Sequence, residues 1–124
     1  MSFTEVAFTC YPAVDLAASR AFYEEVLGLV PSEVILNGED RGWVEYDLGG
    51  HTFSIGKAPG IEPNPHGPSC GLEAADFDAS VAALRKHGAT FKMEPFETPV
   101  CRMAIVFDPA GNTLIIHKRK AANP

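Results

Sequence analysis

The chain has 124 residues, 46% of them hydrophobic, which is the size of one ordinary domain with a hydrophobic core. Sixteen Asp and Glu against ten Lys and Arg give a net charge of −6, which argues against broad attraction to nucleic acid or to an anionic membrane. The sequence shows neither a signal-peptide pattern nor an apolar run of about 18 residues, so we expect a cytoplasmic protein. Three irregularly spaced cysteines indicate reduced thiols.

The first half of the sequence predicts a strand, a helix and three more strands. An extended pattern over residues 4–11 runs into Pro12, and Asp15 then provides the N-cap of a helix. Apolar residues recur at helical spacing until Gly28, which ends the helix. A three-stranded meander is expected over residues 34–36, 43–48 and 51–55, with turns at Asn37-Gly38 and Gly49-Gly50.

A proline-rich stretch, residues 58–68, separates the two halves. It holds four of the ten prolines and cannot continue a central strand or a helix, so we interpret it as a linker. The same order of elements then recurs. The pattern predicts a strand over 69–74, a helix over 76–87 that is closed by Gly88, and strands near 90–95, 101–107 and 112–118.

The second half repeats the first at a fixed offset of 61 residues. One βαβββ unit leaves a sheet face exposed, so we expect two units to lay their sheets side by side or to pair between chains. A homodimer is the natural extension of that reasoning. The offset relates Asp15 to Asp76, Ala18 to Ala79, Ser19 to Ser80, Ala21 to Ala82, Gly50 to Gly111 and Thr52 to Thr113.

The predicted fold is therefore a single α+β domain, residues 1–124, built from two tandem βαβββ modules. The short basic run at residues 118–120 stands alone in an acidic protein, and we interpret it as a solvated tail that does not bind nucleic acid. The expected bounds are 4–57 for the first module, 58–68 for the linker, 69–118 for the second module and 119–124 for the tail.

Two segments carry a family resemblance. Residues 12–29 read Pro-Ala-Val-Asp-Leu-Ala-Ala-Ser-Arg-Ala-Phe-Tyr-Glu-Glu-Val-Leu-Gly-Leu, and residues 108–112 read Asp-Pro-Ala-Gly-Asn. The first resembles the first helix of the vicinal oxygen chelate superfamily, which includes glyoxalase I, bleomycin-resistance proteins and extradiol dioxygenases. The second resembles the family's Asp-Pro-Asp-Gly-Asn turn, with Ala110 in place of the usual acid. The resemblance spans essentially the whole chain and implies curved mixed sheets around a cup-shaped cavity, whereas function varies within the family.

The resemblance also implies four metal-ligand positions, at which family enzymes carry inward-facing His, Gln or Glu on the first and last strands of each half. Here those positions hold Phe8, Ser54, Ser69 and Ile115. Phenylalanine and isoleucine offer no lone pair, and serine hydroxyls alone are poor ligands for a divalent ion. A slip of one residue supplies no ligand set either. We therefore expect no metal and no other cofactor, which argues against glyoxalase I or dioxygenase chemistry.

Alternation along the strands predicts the other side chains that face the cavity. Pairing across Gly49-Gly50 places Trp43 and Glu45 there, opposite Gly56 and Ser54, and we expect Arg102 opposite His117. Apolar walls with a few polar groups are typical of sites for small organic ligands, and a carboxylate beside Trp43 suits a cationic one. The candidate ligand-binding residues are Phe8, Cys10, Trp43, Glu45, Ser54, Ser69, Glu73, Arg102, Ile115 and His117.

Three functions follow as hypotheses. The first is a dimeric, metal-free protein of the bleomycin-resistance type that sequesters a small organic ligand, with Phe8 and Trp43 stacking on it. The second is an enzyme: a glyoxalase-like lyase or isomerase with Glu45 or Glu73 as general base and Arg102 or His117 polarising a carbonyl, or a dioxygenase-related metalloenzyme whose ligands lie elsewhere. The third is a structural or regulatory dimer with a filled cup.

Several candidates also have a simpler interpretation. His117 lies beside the basic run and suits a solvated strand end as well as a pocket. Phe8 and Trp43 suit the core of a collapsed cup as well as a binding wall. Cys101 lies next to Arg102, whose charge would activate a nucleophile, but the residue also suits an inert strand position.

Overall fold

A computed structural model describes residues 2, 4–38 and 40–121, so the end of the expected tail, residues 122–124, lies outside the described part. Two four-stranded mixed sheets, each with a helical region, make the α+β fold that the sequence predicted. The chain divides into two compact units, with the boundary between Pro63 and Asn64. Within the described residues, every helix is too short or too polar to cross a membrane.

The first unit has the strand order β1-β4-β3-β2, in which β1 runs parallel to β4 and the other neighbours are antiparallel. The first strand begins at Thr9 rather than at residue 4, because its pairing with β4 starts there. The second begins at Pro31, a residue that the first position of an edge strand tolerates. The elements are β1 (Thr9–Pro12), α1 (Leu16–Ala21), a π-helical segment (Phe22–Val26), β2 (Pro31–Leu36), β3 (Gly42–Leu48) and β4 (His51–Lys57).

Helix α1 starts where the sequence predicted. The side chain of Asp15 accepts a hydrogen bond from Ala18 N at 3.0 Å, which satisfies one of the free amides at the helix start. The helix then widens into the π-helical segment, a feature that the apolar spacing did not reveal. Phe22 and Tyr23 are consecutive and both buried, and the wider turn lets both rings reach the core.

Aromatic side chains fill the space between this helical region and the first sheet. The Tyr23 ring lies 5.2 Å from Phe53 and 6.3 Å from Tyr46, measured between ring centroids. The Tyr46 hydroxyl donates a hydrogen bond to Glu24 at 2.9 Å, and burial together with this bond raises the pKa of Tyr46. One face of the sheet is therefore committed to the core.

The second unit has the order β5-β8-β7-β6, with β5 parallel to β8. Asp76 caps its helix by accepting a hydrogen bond from Ala79 N at 3.0 Å, and buried Phe77, Val81 and Leu84 line the inner face of that helix. The helix contacts β8. The elements are β5 (Cys70–Glu73), α2 (Phe77–Lys86), β6 (Phe91–Glu97), β7 (Cys101–Phe107) and β8 (Thr113–Arg119).

The offset of 61 holds at the level of backbone pairing. Adding it to both members of the pair Thr9–Phe53 gives the observed pair Cys70–Leu114, and adding it to Pro12–Gly56 gives Glu73–His117. The two parallel strand pairs therefore have the same register. The sequence repeat is a structural repeat.

The last hairpin departs from the repeat, and here one expectation is wrong. Phe107 pairs with Thr113, so the loop between β7 and β8 has five residues, and the register shifts by one from that expected. His117 consequently faces Met103, whereas Arg102 pairs with Lys118. A one-residue shift moves a side chain to the other face of a sheet. Arg102 is therefore not a neighbour of His117.

Candidate functional site

The first sheet presents one face that lies opposite its aromatic core. Successive side chains of a strand point to opposite faces of the sheet. Val44 and Phe53 point into the core, so the residues next to them in sequence lie on the opposite face. Trp43 pairs with Gly56 and Glu45 pairs with Ser54, as the sequence predicted. We call this surface the Trp43 face; it comprises Phe8, Cys10, Trp43, Glu45, Ser54 and Gly56.

Trp43 is held on three sides. Its ring atoms lie against the backbone of Gly56, where an added Cβ would come within 2.9 Å of Cε3. Its Nε1–H donates a hydrogen bond to Glu45 Oε2 at 3.2 Å. The Phe8 ring meets the indole edge to face, with 5.1 Å between centroids and 85° between planes. The structure thus brings these predicted site residues together, and Phe8 remains 49% exposed.

Cys10 and Ser54 lie side by side across the parallel pair of β1 and β4. Burial raises the pKa of the Cys10 thiol, although a hydrogen bond with Ser54 opposes this shift, so the thiol stays protonated at neutral pH. Ser54 is fully buried, and its hydroxyl donates to the carbonyl of Thr9 at 3.1 Å. Cys10 and Ser54 therefore form the less exposed part of the Trp43 face.

The four positions that the family resemblance assigns to metal ligands do not suit a metal ion. The Ser54 hydroxyl is engaged with backbone, and the Ser69 hydroxyl lies 2.5 Å from Thr113 Oγ1. Phe8 and Ile115 have no donor atom. Across the described residues, no three His, Cys, Asp or Glu side chains are grouped so that they could hold a metal. Sites for hard and borderline divalent ions are usually built from carboxylate, imidazole or thiolate donors, which these four residues lack, so they do not fit such an ion.

A second candidate surface lies on the second sheet and contains Glu73 and His117. Their side chains meet with 2.5 Å between Oε1 and Nδ1, and the backbone N–H of Arg119 donates to Glu73 Oε2 at 2.7 Å. The Arg119 amide and the His117 ring hold the pKa of Glu73 below its usual range. The carboxylate is thus ionised at neutral pH and is placed to orient the imidazole. Ile115 shares this face, because it pairs with Gly71, two residues from Glu73.

Arg102 lies on the helix side of the second sheet, contrary to the prediction that placed it in the site. Its guanidinium stacks over the Phe77 ring at 4.5 Å from the centroid. It also forms ion pairs with Asp78 at 2.8 Å and with Glu97 at 3.6 Å. These contacts tie α2 to β6 and β7, so Arg102 has a structural role.

Sequence reasoning missed two side chains on these faces. Ile35 pairs with Trp43 from the neighbouring strand and is 45% exposed, and Met103 occupies the place opposite His117 that was expected for Arg102. Cys101 is buried, and its Sγ lies 3.1 Å from Thr98 Oγ1. The sequence held no clear signal for Ile35, because a two-residue turn at Asn37-Gly38 would pair Ile35 with Asp40, whereas the observed loop spans residues 37–41.

The chain is similar to proteins of known identity along most of its length. It is 28% identical over 112 residues to the anthracycline biosynthesis protein DauV from Streptomyces sp. (strain C5). This match covers 89% of the chain and 40% of DauV, so the chain spans less than half of that curated relative.

Solved structures show the same fold. TnmS3, an antibiotic-binding protein from Streptomyces sp. CB03234, superposes with a TM-score of 0.75 at 24% identity, covering 97% of this chain and 99% of TnmS3. A glyoxylase/bleomycin resistance protein/dioxygenase domain from Frankia sp. EAN1pec gives a TM-score of 0.77 at 18% identity, covering 98% and 96% of the two chains.

A family model covers residues 5–116, which include both of the motifs noted in the sequence. The paired βαβββ units and their common register agree with this match. The chain belongs to the Glyoxalase/Bleomycin resistance protein/Dioxygenase superfamily.

Proposed function

We propose that the protein is a metal-free binding protein that sequesters a small organic ligand against the Trp43 face. The observation that carries the proposal is the Phe8–Trp43 pair, two contacting aromatic rings on the sheet face that lies opposite the core. Aromatic rings that are already held in place offer a large apolar contact area with little further loss of side-chain freedom. A ligand with a flat apolar part would remove these rings from water.

Glu45 gives the surface its polarity. One carboxylate oxygen accepts the indole N–H of Trp43, which leaves the other oxygen for a hydrogen-bond donor or an amine on the ligand. A cation beside an indole ring gains from the charge distribution of the ring as well. The similarity to an antibiotic-binding protein and to an anthracycline biosynthesis protein supports a small organic molecule as the ligand. The Phe8–Trp43 pair and the Glu45 carboxylate favour a planar compound that carries an amine.

The donor chemistry supports binding without a metal. The four positions that the family resemblance assigns to metal ligands hold Phe8, Ser54, Ser69 and Ile115, and the two serine hydroxyls are engaged within their own units. Sequestration needs only apolar contact and a few hydrogen bonds. The proposal therefore assigns no cofactor.

An enzyme is the second candidate, and the contact between Glu73 and His117 favours it. An ionised carboxylate that orients an imidazole is a recurrent arrangement for general acid–base catalysis. The hemithioacetal of methylglyoxal and glutathione is the substrate to test first. Turnover that is lost in His117→Ala and kept in Trp43→Phe would support this candidate, and equal turnover in wild type and His117→Ala would remove it.

We also propose that the protein acts as a homodimer in the cytoplasm. Each unit presents a sheet face opposite its core, and apolar side chains such as Ile35 and Met93, both 45% exposed, lie on the surface of the two units. Burial of such surface favours association. Sedimentation equilibrium at micromolar concentration should give twice the chain mass of 13.3 kDa, and a monomer mass would contradict the dimer.

Trp43 is the single tryptophan, so its fluorescence reports on the candidate site. We expect 9-aminoacridine, a planar amine, to change the emission of chelator-treated protein saturably. Phe8→Ala should weaken binding roughly fivefold, because it removes one aromatic wall. Glu45→Gln should weaken the binding of 9-aminoacridine by about tenfold but should have little effect on the binding of neutral acridine.

Two matched controls accompany these variants. Val30→Ala removes an apolar side chain that is 80% exposed in the loop before β2, and Glu25→Gln removes an exposed carboxylate from the π-helical segment. Both should bind as wild type does. Absence of saturable change with every planar compound, or equal losses in the controls, would refute the proposal.

A further inference from the structure

The first unit carries two neighbouring depressions that share Arg41. One, of about 470 Å³, lies between the start of α1 and the turn after β2; the other, of about 590 Å³, lies between the end of β1, the end of β4 and the loop that follows it. The residues that line them do not include Phe8, Trp43 or Glu45. They are therefore separate from the Trp43 face.

The larger depression has mostly apolar walls. Val14 and Ile61, which are 56% and 36% exposed, contribute apolar surface that a ligand would remove from water. Its rim is held by a turn in which Ile61 N donates to Ala58 O at 3.2 Å, and two prolines fix the backbone on either side of Ile61. The apolar wall is formed by Ala13, Val14, Ala58, Pro59, Ile61 and Pro63.

The charged residues that line this depression are Arg41, Lys57 and Glu62. Lys57 is paired with Asp40, and Asp40 also accepts a hydrogen bond from Leu16 N at 2.7 Å. Arg41 lines both depressions, and none of the ion pairs among the described residues involves its guanidinium. Glu62 also contributes to the lining. A single free guanidinium beside one carboxylate favours a ligand with one negative charge over a dianion such as a phosphate ester.

The backbone presents Arg41 in a fixed position. Asp40 has a left-handed backbone, with φ of 54°, and is held by its two partners. The carbonyl of Arg41 accepts a hydrogen bond from Asn37 N at 3.0 Å, which closes the hairpin turn. A backbone that is already held leaves only the Arg41 side chain to be ordered when a ligand binds.

We propose that the larger depression, which we call the Arg41 pocket, binds a small apolar carboxylate, such as an aromatic monoacid. The guanidinium receives the carboxylate through two parallel hydrogen bonds, and the apolar body lies along Val14, Ile61 and the prolines. A volume of about 590 Å³ is within the usual range for such ligands. This binding does not depend on the function proposed for the Trp43 face.

The probe is 2-naphthoate, titrated into the full chain by calorimetry, with 2-naphthamide as its neutral counterpart. We expect saturable binding of the acid that is at least about tenfold weaker in Arg41→Gln, because charged hydrogen bonds contribute most of the anchoring. Ile61→Ser should also weaken it. The amide should bind more weakly than the acid does to wild type.

Two controls separate this site from the others. Arg85→Gln makes the same charge change at a surface residue of the second unit that is paired with Glu94, and it should bind 2-naphthoate as wild type does. Trp43→Phe should also bind it normally, which distinguishes the Arg41 pocket from the Trp43 face. Wild-type affinity in Arg41→Gln, no saturable binding in wild type, or an equal loss in Trp43→Phe or Arg85→Gln would overturn the proposal.

Discussion

Gly56 provides the surface on which the Trp43 indole lies. A Cβ at this position would come 2.9 Å from Cε3 and 3.3 Å from Cζ3 of the indole, and 3.6 Å from the sulfur of Cys10. The backbone of Gly56 is not left-handed, so its conformation does not require glycine. Glycine is required because a larger side chain would clash with the Trp43 ring. Gly56 is thus a positioning residue for Trp43.

We predict that Gly56→Ala displaces the indole, shifts its emission maximum and weakens ligand binding by about tenfold, at a cost of about 1 kcal/mol in the free energy of unfolding. Gly71→Ala is the matched control. It also places a methyl group on an open strand face, but at an ordinary 3.9 Å from Ile115. Fluorescence and urea unfolding of both variants test this, and identical emission in Gly56→Ala and wild type would contradict the positioning role.

The position of Trp43 was predictable from the sequence and that of Arg102 was not, for a physical reason. Gly49-Gly50 makes a two-residue turn, so the pairing of Trp43 with Gly56 follows by counting. The hairpin between β7 and β8 has a five-residue loop, in which Asp108 accepts hydrogen bonds from Ala110 N and Asn112 N. The hydrogen bonds of the Asp108 side chain determine the length of this loop. The amino-acid composition did not predict that length, so the predicted register of β7 and β8 was wrong by one residue.

At the scale of elements, both helices begin with an N-cap aspartate, whose side chain accepts a hydrogen bond from the backbone N–H three residues later. We predict that Asp76→Ala lowers the free energy of unfolding by about 1 kcal/mol, whereas Asp76→Asn, which keeps an acceptor, loses much less. Urea unfolding measures the difference. Equal losses in both variants would show that the charge matters and the cap does not.

The junction of β5 and β8 should respond to pH through Glu73. Its folded pKa lies below the unfolded value of about 4.3, because the Arg119 amide and His117 favour the carboxylate. The stabilisation is therefore present above about pH 4.3 and is lost as the pH falls through the lower folded pKa.

We predict that the stability difference between wild type and Glu73→Gln shrinks as the pH falls below about 4.3. Glu25→Gln, at an exposed position on the π-helical segment, is the control for the general effect of removing one carboxylate. Urea unfolding between about pH 3 and 6 provides the comparison. A difference that stays constant down to pH 3 would contradict the contribution of Glu73.

The π-helical segment shows the limit of prediction at this scale. The spacing of Leu16, Phe22 and Tyr23 indicated a helix, and a helix is present. In the π-helical segment the Tyr23 ring packs against Tyr46 and Phe53, which are distant in sequence, and the Phe22 ring packs against Tyr23. Tertiary packing of this kind is not encoded in a local pattern.

At the scale of the whole molecule, the repeat was the strongest signal in the sequence. A constant offset of 61 predicted two βαβββ units, and the same offset relates the parallel strand pairs Thr9–Phe53 and Cys70–Leu114. The fold was therefore accessible from the repeat, and the family from the resemblance of residues 12–29 and 108–112. Ligand chemistry was not, because the family uses one fold for different functions and only the side chains of the open faces distinguish them.

The central claim is that an organic ligand binds the Trp43 face without a metal, and one resonance reports it most directly. The single indole N–H, which belongs to Trp43 and is hydrogen-bonded to Glu45, gives a unique peak in an amide spectrum. In protein treated with a chelator and titrated with 9-aminoacridine, this peak should move saturably together with the amides of Cys10 and Gly56. An indole peak that stays fixed while other amides move, or that moves only after a divalent metal is added, would contradict the account.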